Sequence, residues 1–566
     1  MFSLLDEPWI PVVDHDGNRK LIGVKDVFAG EVNVVQLQGD SPAQDYAVLR
    51  MLLAIFWRAH RKESQVAAGE TFIFAAWVQR TRKILRKKQA DPVVLEYLER
   101  YRDRFDLVDS PTPFMQVAGL HVASGEVKRV TTIVPEASSD YFAMRAGQIR
   151  ETLTYAEAAR WLIYTQAYDF SGIKSGVVGD SRAKGGRGYP IGVGWTGMTG
   201  GTLIVGDNLL DTLILNTVPE SITNPNDKPV WERNPDGPDV RSTVGESAEP
   251  QGPADLATWQ SRRVLLHHDG NQVVGVVLGQ GDKIPDAGAN VMADPMTPYR
   301  YSPNKSTKKL DVYYPRPYDV ERTTWKSLDP LVVAETDGGF SGKEKAPKRP
   351  RILTNLAELS QKIDGLPPVL NVELFSVEYG PQASSVATTY SARMHLPLVL
   401  LMESSVYLRT EIRALAAATT QSAVALGRFA GNLLVAAGGE YGFKTAVTDR
   451  VLAELEPRFH VWLQSIATLS EAAARQESES TQALITQWQL TVRTVIDEHA
   501  RTLLRGAGPK AFSGRVIGES AEGARGRFVS AATYYQLLQH SLNEALPTTA
   551  SPRTSDADNS LEGATE

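Results

Sequence analysis

The chain has no cysteine, which excludes disulfides, thiolate nucleophiles and every zinc site built on a thiolate ligand. Apolar stretches such as Leu396 to Met402 fall well short of the ~20 residues that a membrane-spanning helix needs. The opening MFSLLDEPWIPVV carries Asp6 and Glu7 and lacks the basic segment and apolar core of a signal peptide. A soluble, cytoplasmic protein with no membrane partner is therefore expected. Catalytic signatures are missing too. No G-x-x-x-x-G-K-[ST] occurs, and Gly342-Lys343-Glu344 lacks both the hydroxyl and the upstream glycine. None of the nine histidines has H-E-x-x-H spacing, and the adjacent His267 and His268 would face opposite sides of a strand. There is no G-x-S-x-G elbow, and the acids are scattered as surface solvation scatters them. The sequence predicts no cofactor, no metal and no catalysis.

What is abundant is glycine in one place. Twelve glycines lie between Gly172 and Gly206, among Lys174, Arg182, Lys184 and Arg187. Glycine lets a backbone approach another surface without a Cβ and adopts positive φ without strain. Basic side chains beside such a loop point to a polyanion. Within it, Gly192-Val-Gly194-Trp-Thr-Gly197 matches G-x-G-x-x-G, but strand-like Thr202 to Val205 follows where a helix should open, so a dinucleotide site is not expected. The net charge of −6 argues against a protein coated in DNA-binding charge, yet leaves room for a local basic groove.

The 566 residues suffice for two to four domains at ~150 residues each. A short strand at Trp9 to Val13, an Asp16-Gly17 turn and a helix from about Pro42 to Arg61 open the chain. A helix near Phe72 to Lys88 ends in Arg80, Arg82, Lys83, Arg86, Lys87 and Lys88, either a solvated face or a contact with nucleic acid or a partner. Strands are read at Thr202 to Val205, Thr212 to Leu215, Arg263 to Leu266 and Val273 to Leu278, with a long mobile loop over Ser221 to Asp255. The Gly338 to Arg351 loop holds Lys343, Lys345, Lys348, Arg349 and Arg351, an exposed solvated loop or a DNA-backbone contact. Helical periodicity then runs over Val406 to Val435, Leu452 to Leu469, Leu484 to Leu503 and Phe528 to Leu542. Pro457 should kink or bound its helix, and His499 reads as a packed core histidine. The fold class is α+β: a large mixed domain over 1–400, a four-helix bundle over 401–546, and a disordered polar tail over 547–566.

In order along the chain, several segments resemble the large subunit of the type I-E CRISPR Cascade complex, the CasA family. They are Leu4-Leu5-Asp6-Glu7-Pro8-Trp9-Ile10-Pro11-Val12, then Thr112-Pro113-Phe114-Met115-Gln116, then Val205-Gly206 to Leu215-Asn216 as a strand pair. Asp294-Pro295-Met296-Thr297-Pro298-Tyr299, Gly380-Pro381-Gln382-Ala383-Ser384 and the C-terminal helices follow. The resemblance implies a non-enzymatic subunit that inspects double-stranded target DNA for a short protospacer-adjacent motif (PAM) through the minor groove. It further implies that the subunit helps open the duplex for pairing with crRNA, contacts other Cascade subunits and docks a helicase-nuclease. On that basis the family's glycine loop corresponds to Lys184, Gly185, Gly186, Arg187 and Gly188, its lysine finger to Lys283, and its glutamine wedge to Gln382 and Ala383. A loop toward the crRNA end corresponds to Tyr141, Phe142, Ala143, Met144 and Arg145. Some relatives carry a zinc-type cysteine cluster, which this chain lacks, so no structural zinc is implied.

The chemistry of these residues suits those roles. The minor groove mainly separates A·T from G·C, which fits a permissive reader. A lysine can donate to the groove's N3 and O2 acceptors, and a glutamine on a proline-stiffened turn can enter below the last motif pair at an unstacking cost of a few kcal/mol. Two other readings remain open from the residues alone: an enzyme acting on a phosphorylated metabolite through the glycine loop, and an RNA-contacting assembly scaffold.

Overall fold

The computed structural model describes residues 1–61, 71–88, 90–108, 110–135, 151–241, 248–319, 323–340, 344–517 and 526–549. The chain divides into two compact units, Met1–Glu403 and Ser404–Glu566. Both helix and strand are present in the first, and the second is chiefly helical, so the α+β expectation holds. Among the described residues no helix is long and apolar enough to cross a membrane.

The first unit is built around the Pro42–Ala59 helix. Ser41 caps it by accepting from Gln44 N at 3.3 Å, and Pro42 sits in the first turn, where a missing N–H costs nothing. Nearly every residue of this helix is buried, including Arg50, the pattern of an element surrounded on all sides. Arg50 pairs with Asp294 at 2.8 Å, and Trp195 donates to the same carboxylate at 2.6 Å. Burial pushes the Asp294 carboxyl up, but the guanidinium outweighs it and holds the group below the usual carboxylate range.

Around this helix stand small sheets. Strands β1 (Ile10–Asp14), β2 (Arg19–Ile22) and β3 (Val34–Leu37) form one, in the order β2-β1-β3. Strands β4 (Lys174–Ser175) and β5 (Arg187–Gly188) form a two-residue ribbon inside the glycine-rich segment. Strand β6 (Gly201–Val205) joins the sheet discussed below. Strands β7 (Arg262–His268) and β8 (Val273–Gln280), both expected as strands, pair antiparallel, as do β9 (Tyr299–Tyr301) and β10 (Tyr313–Pro315). The long hairpin of β11 (Val369–Tyr379) and β12 (Val386–Pro397) pairs through β11 with β6, giving the order β12-β11-β6.

Several expectations need correction. Thr212 to Leu215 is not a strand but lies in the Leu209–Leu215 helix, capped by Asn208 accepting from Asp211 N at 2.9 Å. The apolar run fits either period. Asn216 decides locally: its side chain accepts from Ile204 N at 2.9 Å and donates to Ile204 O at 2.7 Å, taking the place of a partner strand at that point. The resemblance through a strand pair at 205–216 is thus a strand followed by a helix. The described parts of Ser221 to Asp255 are pinned rather than loose. Asp227 is fully buried and accepts from Ala254 N and Asp255 N at 2.9 and 2.8 Å, while Arg241 pairs with Asp255 at 2.9 Å. On the basic Phe74–Lys88 helix, Arg82 is buried against Asp211 at 2.7 Å and Arg86 reaches Asp207 at 2.6 Å, so this face is not simply solvated.

The second unit contains helices Val406–Ala436, Thr445–Ser465, Glu479–Gly506 and Ala531–Ala545. A small ribbon of β13 (Arg515–Ile517) and β14 (Arg527–Val529) precedes the last of them. Phe459 and Trp488 meet edge-on at 5.0 Å, and Trp488 donates to Thr419 Oγ1 at 3.0 Å. A Cβ on Gly427 would lie 2.3 Å from Thr448 Oγ1, so glycine there permits the close approach of two helices. The Thr445–Ser465 helix runs through Pro457 instead of ending there, with Leu455 and Phe459 buried on either side. His499 is not a core histidine: it is partly exposed and lies 2.8 Å from Glu454 Oε2. Of the 547–566 tail, Pro547–Thr549 forms a short 3-10 turn and the remainder lies outside the described residues.

Candidate nucleic-acid interface

The glycine-rich segment folds into a hairpin whose tip is Gly185-Gly186. Lys184 N donates to Arg187 O at 3.0 Å, and Arg187 N donates to Lys184 O at 3.1 Å. Both central residues have positive φ, +57° and +71°, the pattern of a type I′ two-residue turn. Among the described residues, a Cβ at either position would meet nothing within 4 Å beyond its chain neighbours. Neither tip N–H donates to another group of the chain among the described residues. Gly176 differs: its Cβ would fall 2.5 Å from Gly186 C, so that glycine serves packing inside the hairpin.

The basic residues of this segment divide sharply. Lys174 is buried on Asp169 at 2.7 Å and over the Phe170 ring at 4.0 Å. Burial pulls its pKa below the usual lysine value although Asp169 opposes this. Arg262 joins the same carboxylate. Arg182 pairs with Asp180 at 2.9 Å and donates to Gly281 O at 2.8 Å and Gln280 O at 3.2 Å. Lys184 and Arg187 are exposed and have no carboxylate partner among the described residues. Tyr189, 52% exposed, follows them as an aromatic open to solvent.

Lys283 is exposed between two buried residues. Asp282 is 1% exposed and accepts from Arg263 at 2.7 Å, while Ile284 is 1% exposed in a core cluster with Trp195 and Trp259. The following turn places Asp286 and Ala287 at φ +43° and +52°. Asn290, also at positive φ, is held by mutual bonds with Tyr313 at 2.8 Å.

Gln382 and Ala383 connect β11 to β12 and likewise adopt positive φ, +57° and +53°. Two consecutive left-handed non-glycine residues cost ~1–2 kcal/mol each, and such strain persists only where surroundings impose it. Here Ala383 N donates to Gly380 O at 2.9 Å and Gly380 N to Ser385 O at 3.0 Å. Tyr379 OH, at the base, donates to Tyr168 O at 2.9 Å. The Gln382 side chain is exposed.

Direct bonds tie the three elements together. Gln280, at the end of β8 and three residues before Lys283, donates to Gly172 O at 2.8 Å and Gly188 O at 3.1 Å. Ser171 N donates to Ala383 O at 2.7 Å. The root of the glycine hairpin is thus bonded to the strand that leads to Lys283 and to the turn that carries Gln382. Gln280, Arg182 and Ser171 escaped the sequence reading as positioning residues. The one available signal was a glutamine closing the apolar run of β8.

The remaining expected residues fare differently. Tyr141, Phe142, Ala143, Met144 and Arg145 lie outside the described residues, as does Lys343. Lys345 pairs with Asp311 and Lys348 with Glu335, each at 2.6 Å. Arg349 donates to Thr354 at 2.9 Å, and Arg351 bridges Glu220 at 3.3 Å and Glu358 at 2.9 Å. Each of these four cations is engaged with a partner within the chain. Gly194, in the G-x-G-x-x-G match, caps the short Trp195–Met198 helix, and its Cβ would sit 2.4 Å from Gln166 O, which marks it as a packing glycine. Among the described residues no group of three or more His, Asp or Glu is placed to hold a metal ion.

The family model for CRISPR-associated protein Cse1 matches residues 3–498. The CRISPR-associated protein CasA/Cse1 of Thermus thermophilus is 29% identical over 345 residues, 58% of this chain and 60% of that protein. That alignment spans less than two thirds of the relative. The crystal structure of Thermobifida fusca Cse1 superposes with a TM-score of 0.80 at 34% identity, covering 97% of this chain and 99% of that one. Cse1 from Acidimicrobium ferrooxidans gives 0.74 at 23% identity, covering 96% and 99%. A chain of a CRISPR RNA-guided surveillance complex gives 0.57 at 20% identity, covering 89% and 99%. The last two show likeness of fold alone. The match across 3–498, with the resemblance already read from the segments around Pro8, Phe114 and Gln382, shows that the chain belongs to the CRISPR-associated protein Cse1 family.

Proposed function

We propose that this chain is the motif-reading large subunit of a crRNA-guided antiviral surveillance complex, working in the cytoplasm without catalysis. The observation that supports it best is that the elements carrying Gly185-Gly186, Lys283 and Gln382 are bonded into one assembly through Gln280 and Ser171. In this reading the two free tip N–H groups and the Lys283 ammonium donate to minor-groove acceptors, and Lys184 and Arg187 contact the flanking phosphates. Gln382, on its rigid hairpin, enters below the motif and unstacks one step at a cost of a few kcal/mol. Pairing of crRNA with the target strand is a near-balanced exchange, so these contacts decide whether opening starts. Other Cascade subunits, the crRNA and a helicase-nuclease complete the set of partners.

The test is duplex binding by the chain assembled with its crRNA-bearing partners, with the base pairs beside the target varied. Lys283→Ala and Gln382→Ala are each expected to weaken binding at least tenfold and to flatten the dependence on those pairs. Wild-type binding that ignores those pairs would leave the RNA-contacting scaffold. Nucleotide-dependent thermal stabilisation of the isolated chain would favour the enzyme reading instead.

A further inference from the structure

A cavity of about 430 Å3 lies between one face of the β12-β11-β6 sheet and the cover formed by β3 and the Pro42–Ala59 helix. Its size falls within the ~300–1,000 Å3 range of small-molecule sites. Leu49, Leu203, Val205, Leu209 and Phe375 make it mainly apolar, and Tyr46 stacks on Phe375 at 4.5 Å. Most of the charged groups around it are matched. Arg393 holds Glu373 at 2.6 Å and reaches Gln36 at 3.4 Å; Arg160 holds Asp40 at 3.4 Å. Asp45 is the exception. Its Oδ1 accepts from Gly39 N at 2.7 Å, but Oδ2 has no partner and the carboxylate has no cation within ion-pair distance among the described residues.

We propose that this cavity binds a small organic ammonium ion, with its apolar body against Leu203 and Phe375 and its N–H donors on Asp45 Oδ2. The cavity sets an unmatched carboxylate beside an apolar wall, and such a carboxylate favours a cation. The groups facing Asp45 agree with this. Burial raises its pKa most, Asp40 and Glu373 add to the rise, and the Gly39 N–H and Arg160 oppose it, leaving the carboxyl at about 7. Arg393 lines the same cavity but is held by Glu373. A bound ammonium stabilises the ionised carboxylate, so binding near neutral pH releases a proton. This inference does not rest on the DNA-reading function.

The experiment is calorimetry on the full chain at pH 7 with tryptamine, indole and indole-3-acetate, in two buffers of different ionisation enthalpy. Tryptamine is expected to bind at least tenfold more tightly than the neutral or anionic probe, with proton release. Asp45→Asn keeps an oxygen for Gly39 N–H and removes the charge, so it should cut tryptamine affinity at least tenfold. If that variant melts below wild type, Ser391→Trp, at an exposed position lining the cavity, should block tryptamine by filling the space. Absence of tryptamine binding, equal binding by Asp45→Asn, or indole-3-acetate binding as tightly would overturn the proposal.

Discussion

Replacing Gly185 by asparagine separates the two reasons a glycine can stand at the tip of the hairpin. The turn demands positive φ at both central positions, and Asn-Gly is the dipeptide such turns favour most. Among the described residues, apart from its chain neighbours, no atom lies within 4 Å of the new Cβ, and asparagine adopts the left-handed region at little cost. Folding should therefore be unaffected, or stabilised by on the order of 0.5 kcal/mol as the unfolded chain loses freedom. A glycine needed only for the turn would then be fully replaced.

DNA contact has a different requirement. The tip N–H groups of Gly185 and Gly186 donate to nothing in the chain among the described residues, and a groove ~6 Å wide leaves little room beside a backbone. A side chain at the tip holds both donors away from the groove floor. At ~1 kcal/mol per lost hydrogen bond, the loss is about 2 kcal/mol, or about thirtyfold in affinity. Fluorescence anisotropy of a labelled duplex with the assembled complex measures the affinity, and thermal unfolding of the chain measures the fold. Wild-type affinity and motif preference in Gly185→Asn would refute the groove argument and leave these glycines as turn residues. Gly176→Ala is the contrasting control, since its Cβ would lie 2.6 Å from Arg187 N and force the hairpin open.

Other expectations follow from particular contacts. Gln382→Gly should relieve the positive φ and stabilise the turn by about 1 kcal/mol, yet slow duplex opening reported by 2-aminopurine at the first target step; unchanged opening would remove the wedge role. Arg182→Ala breaks the bonds to Gly281 and Gln280 and should lower motif discrimination with Lys283 and the tip unchanged in sequence, as read by the anisotropy assay. Asp294→Asn leaves Arg50 buried without its counter-charge and should cost ~3–5 kcal/mol in denaturant unfolding; a loss below ~1 kcal/mol would contradict the pairing. Because the folded pKa of Asp45 lies above its unfolded value, at about 7 against 3.8, the folded state holds the extra proton. Stability present near pH 4 should fall as pH rises to about 7, by at most about 4 kcal/mol at ~1.4 kcal/mol per unit, and Asp45→Asn should flatten that slope.

Much of the framework was legible because single residues specify it locally. The apolar faces around Leu452, Trp488 and Leu538 gave the bundle helices, and the runs at Arg263 to Leu266 and Val273 to Leu278 were legible as strands, though not their pairing. Thr212 to Leu215 failed because a short apolar run satisfies either period, and the choice rested on the Asn208 cap and on Asn216 bonding to Ile204. The partners of the basic loop were not legible because charge in sequence carries no record of them: Lys345 meets Asp311 and Lys348 meets Glu335, both outside the Gly338 to Arg351 run. For the interface, the residues at the tips could be named from the resemblance. Their supports could not, since Gln280 and Ser171 act through bonds to Gly188, Gly172 and Ala383 that only the folded chain brings within reach.

Those supports bear on how a chain of net charge −6 could read DNA at all. Long-range attraction to the phosphates is not available from overall charge, so few contacts must each count. Contacts count most when the groups making them lose little freedom on binding. Here the exposed Lys283 is flanked by Asp282 and Ile284, each 1% exposed, the glycine tip closes on two backbone bonds, and Gln382 sits in a turn whose strain its neighbours enforce. The same pre-organisation sets a test of the whole arrangement. Gln280→Ala alters none of the side chains or tip N–H groups proposed to contact DNA, yet it unties the hairpin root from β8. It should weaken motif discrimination while leaving sequence-independent binding and its salt dependence as in the wild type. A parallel loss of both would place Gln280 in the stability of the unit rather than in the positioning of its reading groups.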